Sequence, residues 1–277
     1  MEAKKVTDLR VGVRDENRVN IFLDGHFAFS LTIDQVADFK LKRGLILTED
    51  EISRIQKASD FGKLFQRSLE YALSRPHSER EIRDYLKRKK MKREVEQKRY
   101  DSFIERLGSD PEYREKVKEI RSNVREKNKK LSEKDFTEDN RFEYVGRAKT
   151  GLPTKPGVAI SDEDIEAVIR KLIDMRIIDD ENFARYFVSN RNQIKGTSEK
   201  KLTMELKNKG VSDAIIREVL SEDEFGEKIR DDKVEIMKII EKKRRRGYDD
   251  VKLTQYLLRQ GFSYDLIRES LSLSEEL

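Results

Sequence analysis

The residues with chemistry to offer are cations, and they come in three groups. The first gathers Arg75, Arg80, Arg83, Lys87, Arg88, Lys89 and Lys90; positions 80, 83, 87 and 90 recur at helical spacing and can share one stripe. The second is Lys195, Lys200, Lys201, Lys207 and Lys209. The third is the unbroken run Lys242, Lys243, Arg244, Arg245 and Arg246. Grouped lysine and arginine neutralise phosphate or carboxylate, so they bind an anionic partner rather than turn over a substrate. A single such group also reads as a solvated helix end, where positive charge complements the last carbonyls. Recurrence in three segments is what favours a binding track. No aromatic accompanies every group, and Tyr85 and Tyr256, at equivalent positions, read as partly core, so sequence-specific base reading is not supported.

Catalytic patterns are missing. There is no GxxxxGK[ST] loop and no GxGxxG, hence no phosphate cradle. With no Cys and only His26 and His77, disulfides, thiol nucleophiles and thiolate metal sites are excluded, and a metal would need a carboxylate set. Asp135–Asn140 starts like a calcium loop. It lacks Gly at the sixth position and has Gly146 where a bidentate Glu belongs, so it reads as a solvated linker. Asp179, Asp180 and Glu181 read as carboxylates that favour a helix start. No catalytic residue, metal or cofactor is expected, and a hydrolase or nuclease would need a carboxylate constellation that is not there.

Composition agrees with a surface-rich protein. Of 277 residues 42% are charged and 36% apolar, which suits narrow helices with thin cores. The net charge is +5, from 60 Lys/Arg against 55 Asp/Glu, too mild to name a partner without its arrangement. The N-terminal MEAKKVTDLR has no apolar segment of the secretory kind, and aliphatic stretches such as Leu45–Leu47 fall far short of the roughly 20 residues of a membrane span. The expectation is a soluble, cytoplasmic protein that touches no membrane.

The elements that carry the cations repeat. Thr197–Leu220 and Tyr248–Leu271 superpose at an offset of 51: Lys201 on Lys252, Leu206 on Leu257, Gly210 on Gly261, Ser212 on Ser263, Ile216 on Ile267. A third copy is split. Ser78, Glu79, Ile82 and Leu86 match Ser198, Glu199, Leu202 and Leu206 at an offset of 120, and Ser161, Asp162, Ile165 and Val168 match Ser212, Asp213, Ile216 and Val219 at 51. The offsets differ by 69 residues, the length of a charged insertion, Met91–Ala159, read as a hairpin of exposed helices followed by a Gly/Pro loop, Gly146–Gly157. Repeats of this period stack and share a core. Each is three short helices, with Gly210 and Gly261 at helix stops and Ser212 and Ser263 as caps. Residues 1–60 differ: Val19–Leu23 and His26–Ser30 flank Asp24-Gly25, a two-residue hairpin turn, Val6–Val13 supplies a third strand, and Thr48–Glu51 is a capping box. The fold expected is mainly α: tandem three-helix, helix-turn-helix-like repeats in an elongated curved array behind a small N-terminal β-hairpin domain. The layout is 1–60 for that domain, 61–90 with 160–178 for the first repeat, 91–159 for the insertion, 179–222 for the second repeat and 223–277 for the third.

Asp179–Ala184, Asn190-Arg191, Gly196 and the spacing Leu202, Leu206, Gly210 resemble the central unit of the RecX family. Tyr71–Arg75, Ser78-Glu79, Ile82 and Tyr85-Leu86 resemble its first unit, and the Val19–Ser30 hairpin is similar to the extension of its longer members. The resemblance covers most of the chain outside Met91–Ala159. It implies a non-enzymatic bacterial regulator of RecA, the recombinase that polymerises on single-stranded DNA. Such a regulator binds along the filament groove and limits filament growth or activity, in DNA repair, homologous recombination and the SOS response. The partners implied are RecA, its filament and, by contact, single- or double-stranded DNA, with the chain acting as a monomer. Two features depart from the family: the insertion, and Lys90 where the other repeats have Gly210 and Gly261. A stand-alone nucleic-acid-binding repeat protein remains the alternative, because three-helix units also resemble helix-turn-helix modules.

Overall fold

The computed structural model describes residues 3–12, 15–134, 149–192, 196–221 and 231–274. Asp135–Asn140, the calcium-like stretch, lies outside them, as does Lys195. The described chain is mostly helix, with a small antiparallel sheet near its N-terminus. It divides into two compact units, Met1–Leu86 with Asp162–Leu277, and Lys87–Ser161.

In the first unit, strands β1 (Lys4–Val11), β2 (Arg18–Leu23) and β3 (His26–Thr32) form a meander. The turn between β2 and β3 is the Asp24-Gly25 pair, with φ of 48° and 81°, the two positive values a tight hairpin turn of this hand requires. Helix α1 (Ile33–Asp38) and strand β4 (Ile46–Leu47) follow, and the sheet order is β3-β2-β1-β4. Alternation sends Val6, Ile21, Leu23, Phe29 and Leu31 to one face, where they bury with Leu41, Leu47 and Ile55. Ile55 belongs to α2 (Glu49–Leu73), which begins at the Thr48/Glu51 capping box. The helix started by that box and the beginning of the first repeat, expected from residue 61, are one element. Its first half covers the sheet, where Ser59 Oγ donates to the Ser30 carbonyl at 2.6 Å, and its second half opens the first repeat.

Helix α3 (Glu79–Ser109) does not stop at Lys90. With no glycine there to take a left-handed turn, nothing ends it, and it runs on into the second unit. There it pairs with α4 (Pro111–Lys134) across Asp110, which accepts the Tyr113 N–H at 2.8 Å. Phe103 and Val117 bury between them and Arg106 lies over the Tyr113 ring at 4.0 Å, a narrow seam on otherwise charged helices.

The first unit resumes with α5 (Asp162–Asp174), then α6 (Asp180–Asn192), α7 (Glu199–Asn208) and α8 (Asp213–Leu220), and α9 (Asp232–Arg244), α10 (Asp250–Arg259) and α11 (Tyr264–Leu273). Helices α6–α8 bury Phe183, Val188, Leu202, Leu206 and Ile216; α9–α11 bury Ile236, Ile240, Leu253, Leu257 and Ile267. Leu202, Leu206 and Ile216 match Leu253, Leu257 and Ile267 at the offset of 51, so these helices have corresponding buried faces.

Candidate partner-binding surface

Consecutive repeats meet through one joint, made twice. Ser78, buried ahead of α3, donates its hydroxyl to the carbonyl of Lys209 at 2.7 Å; Ser198, buried ahead of α7, donates to the carbonyl of Gln260 at 2.7 Å. Lys209 and Gln260 are the equivalent C-caps of α7 and α10. Each serine also accepts the N–H three residues on, Glu81 and Lys201, both at 3.2 Å. A hydroxyl has one proton and two lone pairs, so it can cap its own helix and bond the next repeat together. A second bond runs alongside: the Glu79 N–H to Asp180 Oδ1 at 2.8 Å, and the Glu199 N–H to Asp232 Oδ1 at 2.9 Å. Gly210 and Gly261, with φ of 87° and 90°, serve twice. They accept the left-handed turn after the C-cap, and a Cβ on them would lie 2.7 Å from Arg80 Cβ or 2.6 Å from Ser198 Oγ.

The joints differ in one side-chain pair. In the first, Lys209 Nζ reaches Glu81 at 2.6 Å; in the second, the same two positions are Gln260 and Lys201, bonded at 2.7 Å. Glu81 also takes Arg75, at 3.0 Å. Burial opposes its charge, and the hydrogen bonds from Arg75 and Lys209 outweigh that and hold its carboxyl below the ordinary value. Asp180 goes the other way: burial lifts its pKa, only partly offset by the Glu79 N–H.

Several of the expected contact residues are therefore engaged inside the fold. Arg75 and Lys209 clasp Glu81, Lys201 holds Gln260, and Arg83 lies between Glu79 and Glu166. Lys243 sits over the rings of Tyr248 and Tyr256 at 4.6 and 4.1 Å, and Arg244 bonds the Ser274 carbonyl and Asp250. Lys207 pairs with Asp213 and Arg245 with Glu241 on the surface. Arg80, Lys87, Arg88, Lys200, Lys242 and Arg246 are exposed. Of these, Arg80 and Lys200 are equivalent positions in consecutive repeats, both beside a joint. Tyr85 stacks on Tyr71 with centroids 4.2 Å apart, in line with a packing role. Asp179 accepts the N–H groups of Glu181 and Asn182, as a helix-start carboxylate does, whereas its neighbour Asp180 crosses to the first repeat. That crossing has no local signature in the sequence. Among the described residues no group of His, Asp and Glu is placed to hold a metal ion, and no helix is long and apolar enough to cross a membrane.

An N-terminal sheet followed by jointed three-helix groups defines a helical repeat protein. Residues 179–220 match the family model for the RecX second three-helix domain, and residues 4–48 that for the regulatory protein RecX N-terminal domain. Over 272 residues the chain is 27% identical to the regulatory protein RecX of Bacillus velezensis, covering 98% of this chain and 77% of that one. With that of Listeria welshimeri it shares 27% identity over 289 residues, covering 98% and 97%. A crystal structure of regulatory protein RecX has the same fold, with a TM-score of 0.54 at 20% identity over 97% of this chain and 99% of that one. Through these matches the chain is similar to the RecX regulatory proteins along nearly its whole length.

Proposed function

We infer that this protein is a non-catalytic regulator of RecA. It binds the RecA–single-stranded DNA filament and inhibits its assembly, ATP hydrolysis and strand exchange. Similarity to regulatory proteins along nearly the whole chain supports the reading, and the twice-made joint carries it. A body whose repeats are joined in the same way presents surface groups at a constant step, which suits a partner that is itself periodic. Arg80 and Lys200 are two such groups, and Lys242 and Arg246 supply cations in the third repeat. They would meet acidic protein surface or DNA phosphate. The protein acts as a cytoplasmic monomer and needs no metal or cofactor.

The test is RecA-dependent ATP hydrolysis and strand exchange on single-stranded DNA with the protein added. Both rates should fall as the protein saturates the filament, and reversing charge at Arg80 and Lys200 together should weaken the effect. No change in either rate at saturation removes the reading.

A further inference from the structure

We propose that the outward face of the N-terminal sheet, centred on Phe22 and Phe27, is a stacking platform for single-stranded nucleic acid. The site is separate from the three-helix repeats and does not rest on the RecA reading. Strand β2 turns Val19, Ile21 and Leu23 to the core, which leaves Phe22 on the opposite face; register places Phe27 of β3 directly across from it. The rings meet edge to face, with centroids 6.0 Å apart, and Phe27 is 58% exposed at the mouth of the hairpin. On the neighbouring strand β1, the Arg10 guanidinium lies over the Phe22 ring at 4.9 Å while its Nε bonds Asp8 at 2.7 Å.

Cross-strand packing of two phenylalanines stabilises a hairpin by itself. It gives no reason for the cations gathered beside them. Arg10 bonds the Asp8 carboxylate, whose pKa is lowered by that bond and, more weakly, by the charge of Arg43, while a second carboxylate, Asp24, accepts the Lys5 N–H at 3.0 Å. The face therefore combines one exposed ring, Phe27, a partly buried ring, Phe22, with a guanidinium over it, and the cations Arg10 and Arg43 close by. Unpaired bases stack on such rings without regard to sequence while their phosphates meet the cations. A duplex hides its base faces and could use only the charge.

The experiment titrates fluorescein-labelled (dT)15 with the full-length chain, without RecA, and follows anisotropy at several salt concentrations. Phe27→Ala should weaken binding about 5- to 150-fold, the range for loss of one stacked base, and leave the salt slope unchanged. Phe27→Tyr should retain binding. Arg10→Gln should lower the slope of log Kd against log salt by about 0.7, the loss of one phosphate contact. The exposed position of Phe27 leaves the melting temperature as a check that the fold is intact. No binding of (dT)15 by the parent chain, or equal affinity in Phe27→Ala, overturns the proposal. It is also overturned if Phe27→Ala impairs capture of a protein filament while oligonucleotide affinity stays the same, which would assign the face to a protein partner. Oligonucleotide binding that persists in a chain without effect on RecA would separate this site from the regulatory reading.

Discussion

Ser78 and Ser198 each close two circuits with one hydroxyl. The oxygen caps a helix; the proton goes to a carbonyl in the next repeat. Ser212 is the comparison, because it caps α8 from an exposed position, accepting the Ile215 N–H at 3.4 Å. Losing a cap costs about 1 kcal/mol. Ser198→Ala also strips the Gln260 carbonyl of its donor, which adds about 1–3 kcal/mol when a buried group is left unpaired. Urea midpoints should show Ser198→Ala destabilising the protein by clearly more than Ser212→Ala. Equal losses would mean that the bond between repeats contributes nothing.

At the scale of the element, the two joints share a backbone pattern but differ in pH response. Glu81 has its carboxyl below the ordinary 4.5, so its contribution is fully present above pH 4.5 and is lost as pH falls through the lowered value. Asp180, raised above 3.8 by burial, has the opposite sign and relieves the fold on protonation. The second joint carries Lys201 and Gln260 at the positions of Glu81 and Lys209, so it has no carboxylate at this place to protonate. Glu81→Gln should therefore destabilise the chain at pH 7, and the gap from the parent should close as melting is followed down through pH 4.5. A gap that stays constant would show that shape, not charge, makes the first joint.

Across the whole molecule, the joint is offered no further partner in sequence. The position equivalent to Ser198 is Asp249 in the third repeat. Its carboxylate accepts the Lys252 N–H at 2.8 Å and so caps α10, but it has no proton to donate outward. At the other end, α3 continues through Lys90, so the first repeat lacks the free C-cap carbonyl that a preceding serine would need. The cores of the second and third repeats and both joints use no residue of Met91–Ala159. Deleting that segment and joining Lys90 to Ile160 should leave one cooperative thermal transition by circular dichroism. A broad, non-cooperative melt would place the segment in the core of the first repeat.

Much of this was legible in residue order, because it depends on local rules. Asp24-Gly25 specifies its turn, Thr48 and Glu51 their capping box, and the apolar spacing of Leu202, Leu206, Leu253 and Leu257 the buried helix faces. The offsets of 51 and 120 bring out the repeat without coordinates. What the tertiary structure decided lies between elements. It joined the helix begun at Thr48 to the first repeat, carried α3 past Lys90, and paired Arg75, Arg83, Lys201 and Lys209 with groups elsewhere in the fold. A charged residue looks the same in sequence whether its mate is water or a glutamate 128 positions away, as Glu81 is from Lys209. Periodicity reports which face of a helix is apolar; only the packing of repeat on repeat selects which polar groups close against each other and which stay in solvent.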